Sequence, residues 1–188
     1  MASNSYDNHL QQLLIDVDEL ITAHSRLTTG HRGRQWGVGS LNRAILIIAV
    51  SSWEAYVEQL IEETINLIKP PNPPVTNWQS LYASTKSAIG RFNNPTAENV
   101  KTLFRDCVGI TDITSDWYWR NCNSARAAQY LNELLIKRHE IAHGVNPRPT
   151  ISNDYAAWLP NFIRNLAKCT DRGVKNYLEL NLGLRNIY

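Results

Sequence analysis

At 188 residues, with 43% hydrophobic and 19% charged side chains, the chain is long enough to bury a full core and too apolar to be disordered throughout. A formal net charge of +2 announces no nucleic-acid surface, so any such site has to be a local patch. The longest unbroken apolar run, 44–50, is far shorter than the roughly 20 residues of a bilayer span, and the start of the chain lacks the pattern of a signal peptide. The expectation is a single domain over residues 1–188, cytoplasmic and not engaged with a membrane. Cys107, Cys122 and Cys169 are odd in number and form no Cys-x-x-Cys pair, which reads as buried, reduced thiols.

Leu10, Leu13, Leu14, Val17, Leu20 and Ile21 recur at helical spacing and predict a first amphipathic helix that ends before Gly30. The stretch from His31 to Gly39, with His31, Arg32, Arg34 and three glycines, reads as a basic, mobile, solvent-facing connection. From Ser40 to Lys69 the apolar positions first surround the helix and then narrow to a stripe of Trp53, Val57, Leu60, Ile61, Ile65 and Ile68. A helix apolar on all sides belongs at the centre of its domain. Pro70, Pro71, Pro73 and Pro74 end it, since proline removes a donor and disfavours helix in the residue before it.

Two shorter helices follow, Trp78 to Ile89 and Pro95 to Val108, the second capped by Asn94 with Pro95 at its first position. Residues Gly109 to Asn123 are irregular and carry the aromatic cluster Trp117, Tyr118 and Trp119. A helix from Ser124 places Leu131, Leu134, Leu135, Arg138 and Ala142 on one face and stops at Gly144. A last helix runs from about Ser152 to Leu180, with Pro160 tolerated only at a kink or an early turn. No strand pattern or repeat is visible.

The segment from Leu134 to Gly144 holds the chemistry. Arg138 shares a face with Leu131, Leu134 and Leu135, so its guanidinium falls at a half-buried surface where an unpaired charge is costly. Its anionic partner is either Glu54 on the central helix or a substrate phosphate, since the planar fork matches both. His143, just before Gly144, exchanges protons near neutrality, with an ordinary pKa of about 6.5. Five residues on an ideal helix rotate by about 140°, so Arg138 and His143 need not converge within one chain, and a two-fold homodimer would bring two of each around one cleft.

Arg138-His139-Glu140-Ile141-Ala142-His143-Gly144 resembles the Arg-x4-His signature of the HEPN superfamily, and Trp53-Glu54-Ala55-Tyr56 is similar to its RiboL-PSP type. His139 stands where a polar residue, most often Asn, follows the arginine. The resemblance covers roughly Tyr6 to Leu182. It implies an all-α bundle of four to five main helices, two of them long and antiparallel, with additional short helices. It further implies dimerisation through the motif, RNA cleavage that needs no metal or other cofactor, and often a toxin–antitoxin or antiviral role with an antitoxin or regulatory partner protein. On that reading Arg138, His143, His139 and Glu54 form the catalytic set. His143 takes the proton of a ribose 2′-hydroxyl, which attacks the adjacent phosphate to leave a 2′,3′-cyclic phosphate, while Arg138 stabilises the charge on phosphorus.

The same residues also spell His-Glu-x-x-His, a zinc-protease motif with both histidines on one helical face. That chemistry needs a third protein ligand, for which Asp154, Asp171 and Glu179 are the candidates; the metzincin continuation fails at Asn146 and Pro149. A third reading is a non-catalytic RNA-binding or interaction module. Glu54, Glu58 and Glu62 form an acidic row of which Glu54 alone has a functional case, orienting Arg138. Lys137 and Arg148 flank the motif and suit a phosphate backbone. Arg120 and Arg126, beside Trp117 to Trp119, suit single-stranded RNA, with core packing as the competing role of the aromatics.

Overall fold

The structure, a computed structural model, describes residues 2–27, 38–71, 74–144, 149–184 and 187–188. Among them are six α-helices and no strand, only an isolated bridge between Trp119 and Cys122. A π-helical turn, Ser5–Leu10, leads into α1, Gln11–Leu27. The Glu63 carboxylate accepts from the Asn4 and Ser5 amides (3.0 and 2.8 Å) and so caps the orphan donors at this start. Leu10, Leu14 and Val17 make the buried stripe foreseen from their spacing.

The second helix, α2, spans Val38–Leu67 and starts two residues before the expected Ser40; the basic connection expected ahead of it lies, over 28–37, outside the described residues. Ile45, Leu46, Trp53, Tyr56, Leu60 and Ile61 are fully buried on it, and it packs against each of the other five α-helices, the central place that its all-round apolarity predicts. The stretch Gly39–Leu67 is long and apolar enough to cross a membrane, which an unbroken run of seven apolar residues had not suggested. In this fold 56% of its most apolar window is buried inside the bundle, as befits a core helix.

Helix α3, Val75–Ile89, and helix α4, Ala97–Val108, cross the outside of α2. The start of α4 differs from expectation: Thr96, not Asn94, is the cap, its Oγ1 accepting from the Asn99 amide at 3.1 Å. The physical reason lies in the core, because Trp53 Nε1 donates to the Pro95 carbonyl (3.3 Å) and draws that residue out of the helix. The irregular stretch after α4 contains a 3-10 turn, Ile113–Asp116, before α5, Ser124–Ala142, and α6, Asn153–Leu182. Pro160 lies inside α6 and is buried.

Hydrogen bonds at two levels set the relative direction of α2 and α6. Asn42, near the start of α2, donates to the Ile151 carbonyl beside the start of α6 (2.9 Å), and Tyr56, further along, donates to the Ala167 carbonyl (2.9 Å) and Asp171 (2.6 Å). The two longest helices therefore run parallel. Helix α1 lies antiparallel to both, with Ser3 against Asp171 and Arg164 bonded to Gln11 and Asp18. Three helices between α2 and α6 return the chain to its starting end, and hydrophobic spacing says nothing about that return.

Where the 3-10 turn meets α6, Gly173 leaves no room for a methyl group: a Cβ there would sit 2.7 Å from Ile113 Cδ1 and 2.8 Å from Asp116 Oδ2. Ile113 is fully buried and cannot swing away freely. Gly173→Ala is expected to cost about 1 to 3 kcal/mol by overpacking, read as a lower urea midpoint at constant slope.

Candidate functional site

Helix α5 begins at the Asn123 cap, whose side chain accepts from the Arg126 amide at 2.9 Å. Ala127, Leu131, Leu134 and Leu135 form its buried face. Arg138 lies seven residues beyond Leu131, two helical turns on the same face, which is why its long side chain is half-buried where the core runs out. The helix ends at Ala142; His143 is the C-cap, one position later than the last turn in which it was expected, and Gly144 follows at φ 65°, a left-handed backbone that favours glycine. The His139 and His143 rings stand 4.2 Å apart at a 45° tilt, and both residues are exposed.

Beside α5 the loop before α4 forms the second wall of a cleft of about 680 Å³, lined by Arg138, His139, Glu140, Asn132, Asn93 and Asn94 among others. Two bonds hold that wall in place, Trp53 to the Pro95 carbonyl and the Ala97 amide to Asn132 Oδ1 (3.1 Å). His143 is not among the lining residues. Among the described residues Arg138, which lines this cleft, makes no hydrogen bond or ion pair.

Glu54 is half-buried on α2, and its carboxyl is raised above the ordinary range by burial, with the nearby Arg138 charge pulling it partly back. The two groups therefore sense each other without a direct ion pair, short of the contact that spacing had suggested. Glu58 is also raised, by burial and then by Glu54 and Glu62, while Glu62 is neutralised by Lys86.

The remaining expected residues scatter. Lys137 points its Nζ over the Tyr155 ring, 5.9 Å from the centroid, and does not line the cleft. Arg126 is exposed twelve residues before Arg138, about 18 Å along the helix axis, and Arg120 is exposed in the bridge turn. Arg148 lies outside the described residues. Trp117 is core, its Nε1 donating to Thr170 Oγ1 (2.9 Å) and its ring edge-on to Trp53. Trp119 packs on Phe162, and only Tyr118 is open, with the Arg172 guanidinium 4.2 Å above its ring. Asn93, Asn94, Thr96 and Asn132, which complete the cleft, carried no signal in the sequence beyond the capping role given to Asn94.

For a zinc site, two of the three ligand candidates, Asp171 and Glu179, are engaged elsewhere. Asp171 is buried and accepts from the Ser3 amide, the Ser3 hydroxyl and Tyr56, while Glu179 pairs with Lys175. Among the described residues no three His, Cys, Asp or Glu side chains gather as a metal would require. All three cysteines are free thiols, Cys107 and Cys169 buried and Cys122 half-buried.

The chain is an all-helical bundle whose helix α5 carries Arg138 and is capped by His143. The family model RiboL-PSP-HEPN matches residues 9–176, and the chain belongs to that family. Neither the curated proteins nor the solved structures yielded a match. Membership is compatible with a ribonuclease-like or nucleotide-related function.

Proposed function

We propose that the protein is a metal-independent RNA endonuclease that works as a homodimer, restrained in the cell by a partner protein as a toxin or defence effector. The observation that carries this reading is half-buried Arg138, which lines the cleft and makes no hydrogen bond or ion pair among the described residues. A phosphate supplies the anion that the protein itself withholds. His143 caps the helix outside the lining of that cleft, so a second copy across a two-fold axis brings its own His143 to complete the site. Ile136, 59% exposed and itself on the lining of the cleft, gives such a contact an apolar centre.

In this mechanism His143 withdraws the 2′-hydroxyl proton and the oxygen attacks the neighbouring phosphorus. The 5′-oxygen leaves with a proton from a second imidazole, that of His139 or of the other His143. Arg138 meets the charge that gathers on the phosphoryl oxygens. The test is the product: fragments should end in 2′,3′-cyclic phosphate, and a single 2′-deoxy substitution at the cleaved position should block the cut. Cleavage that proceeds through the 2′-deoxy position would overturn the mechanism.

Glu54 positions Arg138 in this account. Glu54→Gln is expected to lower RNA cleavage several-fold, and an unchanged rate removes the role. Its effect on stability follows from the raised carboxyl. A group lifted on folding contributes stability that is fully present below its unfolded pKa and lost as pH rises through the folded value. Glutamine suffers no such loss. The variant should therefore gain stability relative to the parent as pH rises through that window, as urea midpoints at several pH values will show.

A further inference from the structure

The cleft beside Arg138 contains an exposed side-chain amide whose oxygen is already engaged. Asn132 Oδ1 is committed to the Ala97 N–H at the start of α4, at 3.1 Å. An N–H donor demands the oxygen, so the orientation of this amide is settled by its neighbour, and both Nδ2 hydrogens remain to donate. Nothing among the described residues accepts from them. Asn132 lines the same cleft as Arg138 and precedes it by six residues, about 9 Å along α5. That is the scale of one nucleotide between its phosphate and its base. Across the cleft Asn94 has its carbonyl fixed by the Thr96 amide (2.8 Å) and Asn99 Nδ2 (2.7 Å), so the facing wall is ordered as well.

We infer that this cleft is a nucleobase subsite in which Asn132 selects the base of the nucleotide whose phosphate Arg138 holds. An amide that presents only its two N–H donors fits a base with two adjacent acceptors: O2 and N3 of cytosine, or O6 and N7 of guanine. Adenine and uracil are disfavoured, because on the Watson–Crick edge of each an acceptor stands beside a donor. The bidentate partner of adenine is an amide that both donates and accepts, and here the acceptor is taken. The N–H groups of either base would face those of Asn132 donor to donor. Among the described residues the Asn93 and Asn94 side chains make no hydrogen bond and can rotate to either polarity, so they support a base without choosing it. The inference rests on the endonuclease reading for its phosphate and adds the identity of the base.

Asn132→Asp is the decisive variant, because a carboxylate oxygen keeps the Ala97 bond while the donors become acceptors. Uridine, cytidine, guanosine and adenosine 3′-monophosphates are titrated into parent and variant by NMR chemical shift, with cleavage-site mapping on a mixed RNA alongside. The parent should bind the cytidine and guanosine compounds roughly tenfold more tightly than the adenosine and uridine compounds. The variant, its helical circular dichroism unchanged, should lose that ratio or turn it toward adenosine. A uniform loss of affinity from the added charge would leave the ratio unaltered, which overturns the proposal, as do equal affinities or no saturable binding in the parent. Discrimination by Asn132 without RNA cleavage sinks the endonuclease reading and keeps the subsite. Cleavage whose base preference is the same in both proteins does the reverse.

Discussion

Arg138→Ala should lower the RNA cleavage rate by about 10² to 10³-fold while leaving the fold intact, the scale of losing one preorganised group at a developing oxyanion. The fold survives because the guanidinium has no hydrogen-bonding partner among the described residues to strand; only the stem of the side chain is lost from the edge of the core. Glu54 is the internal reporter. Once the Arg138 charge is gone, the Glu54 carboxyl should move further above the ordinary range, because burial then acts unopposed. Arg138→Lys should fall between the two, since it keeps the charge but not the planar fork. Full activity in Arg138→Ala would remove the residue from the mechanism.

Trp53→Ala is expected to cost about 3 to 5 kcal/mol, a large share of the roughly 5 to 15 kcal/mol by which a domain is stable. Trp53 is fully buried, edge-on to Trp117 at 5.8 Å and tilted on Tyr56 at 5.5 Å, so its removal opens a cavity beside those two rings. It also fixes the Pro95 carbonyl, and with it the loop wall of the cleft. Trp53→Phe separates the two roles, keeping most of the volume but no donor. That variant should remain folded, lose about 1 kcal/mol, and cleave RNA more slowly than its stability explains. A urea midpoint unchanged in Trp53→Ala would contradict the central place given to α2.

The helices were legible because burial leaves a period. Leu10, Leu14 and Val17 on α1, and Leu131, Leu134 and Leu135 on α5, sit inside for the reason their spacing gives. Gly144 carries the positive φ expected of a helix stop. Direction and neighbourhood were not legible. That α2 and α6 run parallel depends on where three intervening helices return the chain, and the cap of α4 moved to Thr96 because a tryptophan 42 residues away claims the Pro95 carbonyl. The candidate site divides in the same way. Arg138 was marked by an apolar face that ends in a charge, whereas Asn132 and the Asn93 to Thr96 loop form a cleft only once α4 and α5 are side by side. Lys137 shows the converse, a well-placed cation in the sequence that lies over Tyr155 in the fold.

The most direct measurement is incubation of the purified chain with single-stranded RNA in excess EDTA. The account predicts endonucleolytic cuts that persist under chelation and disappear in His143→Ala, a change at an exposed side chain that should leave the helical circular dichroism unchanged. Intact RNA, or cleavage that is lost on chelation and regained with zinc, would contradict it.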